Sequence, residues 1–289
     1  MKQITIISGK GGTGKTSITA ALASLAQNAV FADCDVDAAD LHLLFNPKVI
    51  KEEVFPGSKK VQIDAEECIR CGLCKSLCRY DAVDLTNHVY SVKEFACEAC
   101  DLCRKACPVD AIYINQSMTS RWFVGKSRFG EMVFAALGIG EELSGKLVAR
   151  VRDEAKAIAK EKDKDYILVD GPPGIGCSVI ASITGVDEVL IITEPTQSGL
   201  HDLERVVELA NKFNAKPLVL LNKFDLNKEV AEVIEDYCKE NGIEIVGKLS
   251  YDSIFVEAML QQKSVVEYAP DSEISKTIKG VWNTLKQIT

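Results

Sequence analysis

The sequence has 289 residues, of which 47% are hydrophobic and 26% charged, and its formal net charge is -8. This composition is ordinary for a soluble globular protein, and the length suits one large domain or two modest ones. The negative charge argues against a general nucleic-acid-binding protein, which would normally present a basic face. We therefore expect no nucleic-acid partner.

The two ends of the sequence bear on localisation. The opening residues, MKQITIIS, pass directly into a glycine-rich segment, without the charged and apolar regions of a signal peptide. No apolar stretch approaches the roughly 18 to 20 residues that span a bilayer. The last residues, VWNTLKQIT, lack the pattern of a basic amphipathic membrane-binding tail. We expect a cytoplasmic protein without stable membrane association.

Short apolar runs alternate with helical patterns along most of the chain. ITIIS (4–8) and AVFAD (29–33) are predicted strands on either side of a predicted helix at 15–27. The later predicted strands are 166–170, 188–193, 217–222 and 243–247, and the later predicted helices are 145–161, 200–213, 228–240, 253–262 and 271–287. Near-continuous apolar strands are typical of parallel sheets covered by helices on both faces. The predicted fold class is therefore α/β with a mainly parallel sheet.

This alternation breaks between about 56 and 116. Pro47, Pro56 and Gly57 precede a short predicted edge strand, KKVQID (59–64), and AIYIN (111–115) closes the segment. We therefore predict three parts, namely a first part of the sheet domain at 1–55, an inserted domain at 56–116 and a second part of the sheet domain at 117–289.

Cysteines are concentrated in the predicted insert. Cys34, Cys177 and Cys238 stand alone among the eleven cysteines, and isolated cysteines are usually small buried residues. The other eight form two quartets with the spacing C-x2-C-x2-C-x3-C, which are Cys68, Cys71, Cys74 and Cys78, and Cys97, Cys100, Cys103 and Cys107. The second quartet repeats the first after 29 residues, and YDAV (80–83) recurs as VDAI (109–112). The repeat indicates an internal duplication, and metal binding is more typical than disulfides in a chain of this kind.

The quartets resemble the cysteine runs of bacterial two-cluster ferredoxins, in which the fourth cysteine binds the cluster of the other run. The resemblance implies a ferredoxin-like α+β insert with two [4Fe-4S] clusters. One would be bound by Cys68, Cys71, Cys74 and Cys107, and the other by Cys97, Cys100, Cys103 and Cys78. Arg79 stands where the pattern has Pro, which should not remove ligation. Structural zinc is the alternative, although zinc sites rarely use four cysteines at these intervals.

A nucleotide-binding motif follows the first predicted strand. GKGGTGKT (9–16) matches G-x-x-x-x-G-K-[ST] between a strand and a helix, where backbone N–H groups would surround phosphates. Lys15 would reach the β- and γ-phosphates, and the Thr16 hydroxyl would bind Mg²⁺. The predicted nucleotide contacts here are Gly9, Gly11, Gly12, Thr13, Gly14, Lys15, Thr16 and Ser17. The alternative is a glycine turn that happens to contain Lys-Thr.

Carboxylates follow two other predicted strands. Asp170 ends YILVD, where a carboxylate would hold Mg²⁺ through water, and GPPGIG (171–176) after it is a predicted switch loop. Asp33, Asp35 and Asp37 follow the second strand, a position suited to water or Mg²⁺. We expect one of these three to be only a loop or cap residue.

Lys10 distinguishes this loop from an ordinary Walker A motif, and the arrangement resembles the deviant Walker A ATPases of the MinD/Mrp type. The resemblance implies that Lys10 reaches the nucleotide of a dimer partner, that Asp35 is the catalytic switch I aspartate, and that Asp170 belongs to Walker B. The alternative for Lys10 is a solvated loop lysine. TEPTQSGLHDLERV (193–206) and LLNKFD (220–225) also resemble this family.

The same resemblance bears on the choice of base. Asn222 falls where family members contact adenine, whereas Ser250 stands where many of them have Pro. NKFD also resembles the guanine-reading N-K-x-D motif of GTPases, but the deviant loop favours ATP. Cys177 lies near the position of a bridging cluster ligand in the nitrogenase iron protein. No cysteine lies between 108 and 176 to supply the second ligand, so we expect Cys177 to be either buried or adjacent to the switch loop.

The whole chain resembles MinD-superfamily ATPases with an inserted ferredoxin domain. This implies Mg²⁺-dependent ATP hydrolysis, an ATP-dependent homodimer, and a role in assembling or delivering an iron-sulfur or related metal cofactor to a client protein. Two alternatives are ATP-gated electron transfer to a redox partner and a MinD-like spatial organiser with redox-sensing clusters. Because the insert follows Asp35 and DLHLLF (40–45) in the chain, we expect the nucleotide state to influence the orientation of the cluster domain.

Overall fold

The computed structural model describes residues 1–139, 141 and 144–287. These residues divide into two compact units. The sheet unit contains 1–53, 122–136 and the described residues from 144 onward, and the inserted unit contains 54–121 with the described part of 137–143. The predicted insert at 56–116 falls inside the first segment of the inserted unit.

The described strands and helices are numbered in chain order. The strands are β1 (Lys2–Ser8), β2 (Ala29–Asp33), β3 (Lys48–Phe55), β4 (Lys59–Ile63), β5 (Val83–Thr86), β6 (Val89–Val92), β7 (Ile112–Gln116), β8 (Ser120–Lys126), β9 (Glu131–Ala136), β10 (Tyr166–Pro173), β11 (Glu188–Thr193), β12 (Lys216–Asn222) and β13 (Glu244–Leu249). The α-helices are α1 (Lys15–Leu25), α2 (Leu41–Phe45), α3 (Leu73–Leu77), α4 (Leu102–Ala106), α5 (Ser144–Glu161), α6 (Cys177–Ile183), α7 (Gln197–Lys212), α8 (Lys228–Glu240), α9 (Ile254–Leu260), α10 (Val265–Tyr268) and α11 (Glu273–Gln287). Short 3-10 helices occur at Glu94–Ala96 and Phe224–Leu226.

In the described ranges, nine strands form one sheet in the order β13-β12-β11-β1-β10-β2-β9-β8-β3. The pairs from β13 through β9 are parallel. The predicted α/β class with a mainly parallel sheet is therefore confirmed. Every predicted strand and helix outside the insert has a counterpart, with ends that differ by a few residues.

Three strands of this sheet have no counterpart in the sequence prediction. β3, β8 and β9 extend one edge beyond β2. β3 has the sequence KVIKEEVF and its residues are mostly exposed, so no apolar run marks it. β8 and β9 are joined by a tight turn, in which the N–H groups of Ser127 and Gly130 donate to each other's carbonyl groups at 2.8 and 3.3 Å.

Side chains of the central strands alternate between two hydrophobic cores, as strand geometry requires. On β1, Ile4 and Ile6 enter the core that contains α1 and α11, whereas Ile7 enters the core that contains α7 and α8. Helices cover both faces, so the central strands are apolar on both sides. This packing fixes the carboxyl ends of β1, β10 and β11 beside one another, which is the edge where ligands bind in such sheets.

The inserted unit contains two antiparallel pairs, β4 with β7 and β5 with β6. Its two halves repeat in backbone conformation as well as in sequence. Three pairs of positions 29 residues apart have positive φ in both halves, and these are Arg70 and Ala99 (61° and 46°), Gly72 and Asp101 (79° and 70°), and Asp81 and Asp110 (47° and 53°). Left-handed conformations are uncommon for residues other than glycine. The recurrence of these conformations after 29 residues supports the duplication of one cysteine-containing segment.

Candidate functional site

The loop between β1 and α1 is shaped by its glycines. Gly12 and Gly14 have φ values of 81° and 90°, a region that glycine enters without strain. A Cβ atom on Gly14 would also lie 2.7 Å from Nδ2 of Asn222, and that nitrogen donates to the carbonyl of Thr13 at 2.7 Å. Gly14 therefore lets β12 approach the loop closely at the start of α1.

Lys15 lies between two carboxylates at the carboxyl ends of neighbouring strands. Its Nζ is 2.9 Å from Oδ1 of Asp170 and 3.3 Å from Oδ2 of Asp35, and the lysine side chain is 7% exposed. Burial by itself would lower the pKa of Lys15, but the charges of Asp170 and Asp35 outweigh it and raise the pKa. Lys15 is therefore held charged at the base of the loop.

Asp170 is buried and accepts three side-chain hydrogen bonds. Its Oδ1 accepts from Lys15 at 2.9 Å and from Thr19 at 3.0 Å, and its Oδ2 accepts from Thr16 at 3.0 Å. The structure thus brings the predicted residues Lys15, Thr16 and Asp170 together. A hydroxyl and a carboxylate side by side are oxygen donors of the type that Mg²⁺ prefers. Thr19, one turn further along α1, carries no motif signature and was not predicted.

The three aspartates at the end of β2 and after it occupy different environments. Asp33 is fully buried and accepts from the backbone N–H groups of Asp35 and Leu41, both at 3.2 Å. Burial, with the nearby charge of Asp170, raises the pKa of Asp33 well above its usual value. Burial also raises the pKa of Asp35, although Lys15 opposes it. Asp37 is exposed. Asp33 therefore shapes the turn that presents Asp35 to Lys15.

Lys10 is held by residues of its own chain at the start of α7. Its Nζ lies 2.8 Å from Oε1 of Glu194, 3.2 Å from Oγ1 of Thr196 and 3.1 Å from Oγ of Ser198. The side chain of Lys10 is 31% exposed and that of Glu194 is 16% exposed. Lys10 is thus neither buried nor freely solvated, and Glu194 was not among the predicted site residues.

The last residue of β12 and the residues that follow it tether the loop through hydrogen bonds. Asn222 is buried, and besides its bond to Thr13 its Oδ1 accepts from the N–H of Lys223 at 3.0 Å. Nζ of Lys223 donates to the carbonyl of Gly12 at 2.9 Å and pairs with Glu194 at 3.0 Å. Oδ1 of Asp225 accepts from the N–H of Tyr251 at 2.7 Å. The NKFD segment therefore holds the loop and the residues after β13 in place. An adenine contact by Asn222 stays a prediction.

The eight quartet cysteines line two cavities in the inserted unit. One cavity is lined by Cys68, Cys71, Cys74 and Cys107, and the other is lined by Cys78, Cys97, Cys100 and Cys103. The apolar walls include Ile63 and Ile112 in the first cavity and Val61 and Val83 in the second. Each cavity contains three cysteines of one quartet and the last cysteine of the other, which is the grouping that the ferredoxin resemblance implies.

The chemistry of these cavities suits a cationic group bound by thiolates. Burial raises the pKa of Cys74 and of Cys103, and the neighbouring cysteines of the same quartet raise it further. The N–H of Ala82 donates to Sγ of Cys78 at 3.3 Å. Cysteine thiols lose their protons when iron binds them. The four cysteines of each cavity therefore fit a [4Fe-4S] cluster. Within the described ranges, no three His, Cys, Asp or Glu side chains are close enough to share one metal ion.

The three isolated cysteines differ in exposure. Cys34 and Cys238 are buried, and burial raises the pKa of Cys34 well above its usual value and that of Cys238 to about 11. Cys177 is exposed at the first residue of α6, directly after the GPPGIG segment. It therefore lies next to the predicted switch loop and not in the core.

In the part of the chain that the structure describes, no helix combines the length and apolar character needed to cross a membrane.

Known proteins resemble the chain at different levels. An uncharacterized protein of Methanocaldococcus jannaschii is 34% identical over 99% of this chain and 96% of its own length. The structure of the septum site-determining protein MinD from Pyrococcus horikoshii with Mg-ADP superposes with a TM-score of 0.57 at 17% identity, over 99% of this chain and 96% of that one. The cytosolic Fe-S cluster assembly factor NBP35 of Eremothecium gossypii is 24% identical over 42% of each chain.

The family assignment comes from a match to a whole family model. The model described as the CobQ/CobB/MinD/ParA nucleotide binding domain matches residues 4–265. That range includes the phosphate-binding loop, both acidic segments and the inserted unit. Since the match extends over most of the sequence, the chain belongs to the CobQ/CobB/MinD/ParA nucleotide-binding family.

Proposed function

We propose that this protein is a Mg²⁺-dependent ATPase whose nucleotide cycle acts on two bound [4Fe-4S] clusters, in the assembly or delivery of an iron-sulfur or related metal cofactor. The observation that supports this proposal is the presence, in one chain, of a phosphate-binding loop with its acidic partners and of two four-cysteine cavities. The partial likeness to a named Fe-S assembly factor favours cofactor assembly. We expect the protein to act in the cytoplasm on a client protein.

The nucleotide half of the mechanism uses residues that already lie in contact. The loop N–H groups and Lys15 would bind the phosphates, while Thr16 and Asp170 would hold Mg²⁺. Asp35, 3.3 Å from Lys15, would orient the attacking water. Its raised pKa suits a carboxylate that accepts a hydrogen bond from water beside a charged phosphate. Lys10 would stabilise charge on the nucleotide of the partner chain.

In the cluster part of the mechanism, the last cysteine of each quartet would bind the cluster of the other quartet. Cys78 would bind the second cluster and Cys107 the first. Bound clusters would supply one-electron chemistry, and three thiolates of one quartet with one of the other would hold each of them. The apolar walls, with Val61 and Val83 on one side and Ile63 and Ile112 on the other, limit access of water. The N–H bond to Cys78 stabilises negative charge on that sulfur.

Chain connectivity suggests how the two halves communicate. The acidic turn after β2 leads through α2 and β3 directly into the inserted unit. A nucleotide that binds one arrangement of this turn more tightly would shift the equilibrium toward it. We propose that dimer closure through Lys10 and the orientation of the inserted unit share this segment.

ATP-gated electron transfer is the second candidate, and the cysteine cavities favour it. Each cavity is lined by four cysteines, which would complete the ligand set of a [4Fe-4S] cluster. A cluster that is handed to another protein needs labile or bridging ligands, so full ligation within one chain favours clusters that stay bound.

Two measurements on the anaerobic holoprotein distinguish the candidates. Transfer of ⁵⁵Fe to an apo-acceptor protein is expected for a carrier, with a rate that depends on MgATP. Retained ⁵⁵Fe, together with cluster reduction potentials that move when MgATP binds, would instead identify an electron donor. A holoprotein that neither releases iron nor changes its potentials with MgATP would contradict both.

A further inference from the structure

The ammonium group of Lys10 has all of its donors engaged within one chain. A lysine ammonium has three N–H donors, and Nζ of Lys10 has three acceptors within 3.2 Å, namely Glu194, Thr196 and Ser198. Because these three acceptors use every donor, the same group cannot also bind a phosphate on another chain. Binding within the chain and binding across a dimer are therefore alternatives.

We propose that Glu194 is a positioning residue for Lys10, which it holds in its own chain, and that it thereby sets the MgATP concentration at which two chains associate. This inference rests on the proposed ATP-dependent dimer. Only chains in which Lys10 has left Glu194 can bind the nucleotide of a second chain. The smaller the fraction of such chains, the weaker the apparent association of the dimer.

Lys223 makes the release of Lys10 feasible. The carboxylate of Glu194 is mostly buried and binds both lysines, Lys10 at 2.8 Å and Lys223 at 3.0 Å. Leaving a buried carboxylate without a partner is strongly destabilising. Lys223 is anchored independently, through its bond to the carbonyl of Gly12 at 2.9 Å, and it can remain when Lys10 leaves. Glu194 therefore keeps a cation in either arrangement.

The helix beside this contact also keeps its cap when Lys10 leaves. Thr196 is the N-cap residue of α7, and its hydroxyl accepts from the N–H of Gly199 at 2.9 Å. The Thr196 oxygen has two lone pairs. One accepts from Gly199 and the other accepts from Lys10. Loss of Lys10 thus removes one contact from Thr196 without removing the cap, so α7 need not unfold for Lys10 to change partners.

The test is an MgATP titration of association, measured by analytical ultracentrifugation on the anaerobic holoprotein in a hydrolysis-deficient Asp35→Ala background. Glu194→Gln removes the charge of the side chain and keeps its shape. The MgATP concentration at half-maximal association is therefore expected to fall to roughly a third to a tenth of its original value, which is the size of effect that the loss of a partly exposed ion pair allows. Ser198→Ala, which removes one neutral acceptor, is expected to lower the midpoint by a smaller factor. Lys10→Gln is expected to prevent association.

Glu235→Gln is the matched control. Glu235 pairs with Lys248 at 3.0 Å between α8 and β13, so this variant loses an ion pair of similar length outside the phosphate-binding loop. Its midpoint is expected to equal that of the parent chain. An equal shift in Glu235→Gln would mean that charge alone, and not Lys10, controls association.

The outcomes separate this inference from the proposed function. Association of the parent chain with an unchanged or raised midpoint in Glu194→Gln would overturn the role of Glu194 and leave the dimer intact. Association of neither chain at any MgATP concentration would contradict the dimer itself. If Glu194→Gln does not fold, the Ser198→Ala midpoint decides, because an unchanged value would show that these acceptors do not compete for Lys10.

Discussion

Thr19 shows at the scale of single residues how much of the nucleotide site depends on tertiary contacts. Lys15, Thr16, Asp35 and Asp170 follow from motifs, and the structure brings them together. Thr19, by contrast, has no signature in the sequence, because its role arises only when β10 lies beside α1. Its hydroxyl lies 3.0 Å from Oδ1 of Asp170 and also 3.0 Å from the carbonyl oxygen of Lys15, and when it donates to Asp170 it orients that carboxylate.

Thr19→Val is expected to weaken the Mg²⁺ dependence of ATP hydrolysis without removing the site. Valine fills the same volume but cannot donate to Asp170, and the loss of a hydrogen bond behind a metal-binding carboxylate costs roughly 10- to 100-fold in metal affinity or activity. The measurement is ATPase rate against Mg²⁺ concentration. Thr284→Val is the control, since that hydroxyl contacts only the helix carbonyl of Gly280 among the described bonds, at 3.3 Å. Equal Mg²⁺ curves for parent and Thr19→Val would refute this role.

Glu131 offers a second test at residue scale, through the pH dependence of stability. It is 7% exposed, and its carboxylate pairs with Lys162 at 2.8 Å and Lys164 at 3.1 Å. Burial alone would raise the pKa of Glu131, but the two lysines lower it from 4.5 to about 2. A depressed carboxyl pKa stabilises the folded state above the unfolded value, and this contribution is lost as the pH falls toward the folded value.

Glu131→Gln is therefore expected to destabilise the sheet unit by about 2 to 3 kcal/mol at pH 7. The difference from the parent chain should shrink as the pH falls from about 4.5 toward 2. Denaturant unfolding followed by the fluorescence of Trp122 and Trp282, which both belong to the sheet unit, measures it. Glu235→Gln, with its exposed partner Lys248, should change stability little at any pH. A pH-independent loss in Glu131→Gln would contradict an electrostatic origin.

At the scale of elements, the sequence predicts strands that have an apolar pattern, and it does not predict strands that form only because another strand lies beside them. The central strands are apolar on both faces, so they are evident as runs such as EVLIIT (188–193), and the structure has β11 at Glu188–Thr193. β3 is mostly exposed and charged, and it becomes a strand only because β8 is available for pairing. The left-handed conformations of Ala99 and Asp101 are not evident from the sequence, because positive φ angles are uncommon for residues other than glycine.

The positions of Cys78 and Cys107 in the inserted unit predict which cluster each of them binds. Cys78 lies in the cavity of the second quartet and Cys107 in that of the first. Cys78→Ser is therefore expected to damage the cluster bound by Cys97, Cys100 and Cys103, and Cys107→Ser the cluster bound by Cys68, Cys71 and Cys74. The measurement is iron per chain together with electron paramagnetic resonance of the cluster that remains.

Two comparisons control for general damage to the inserted unit. Cys177→Ser, at an exposed position of the sheet unit, should retain the full iron content. The double variants distinguish exchanged from unexchanged ligation, because Cys78→Ser combined with Cys97→Ser should spare one cluster, whereas Cys78→Ser combined with Cys68→Ser should damage both. The opposite pattern would mean that each quartet binds its own cluster.

At the scale of the whole molecule, the open question is whether the two units respond together to nucleotide. Within the described ranges the chain passes between the two units at 53–54, 121–122 and 136–137, and it returns to the sheet unit at 144. The first of these follows the acidic turn through α2 and β3, so a change at Asp35 has a short path along the chain to the inserted unit. Nothing in the sequence pattern fixes that response, since it depends on the relative stability of two arrangements.

Small-angle X-ray scattering of the holoprotein tests this response. In the Asp35→Ala variant, which should bind MgATP without hydrolysing it, the forward scattering is expected to approach twice its nucleotide-free value as two chains associate. The distance distribution should also become more compact than that of two unchanged chains side by side. Adding Lys10→Ala should prevent both changes, because the partner nucleotide then lacks its cation. Association with a distance distribution that matches two unchanged chains side by side would mean that ATP controls pairing alone and does not reorient the inserted unit.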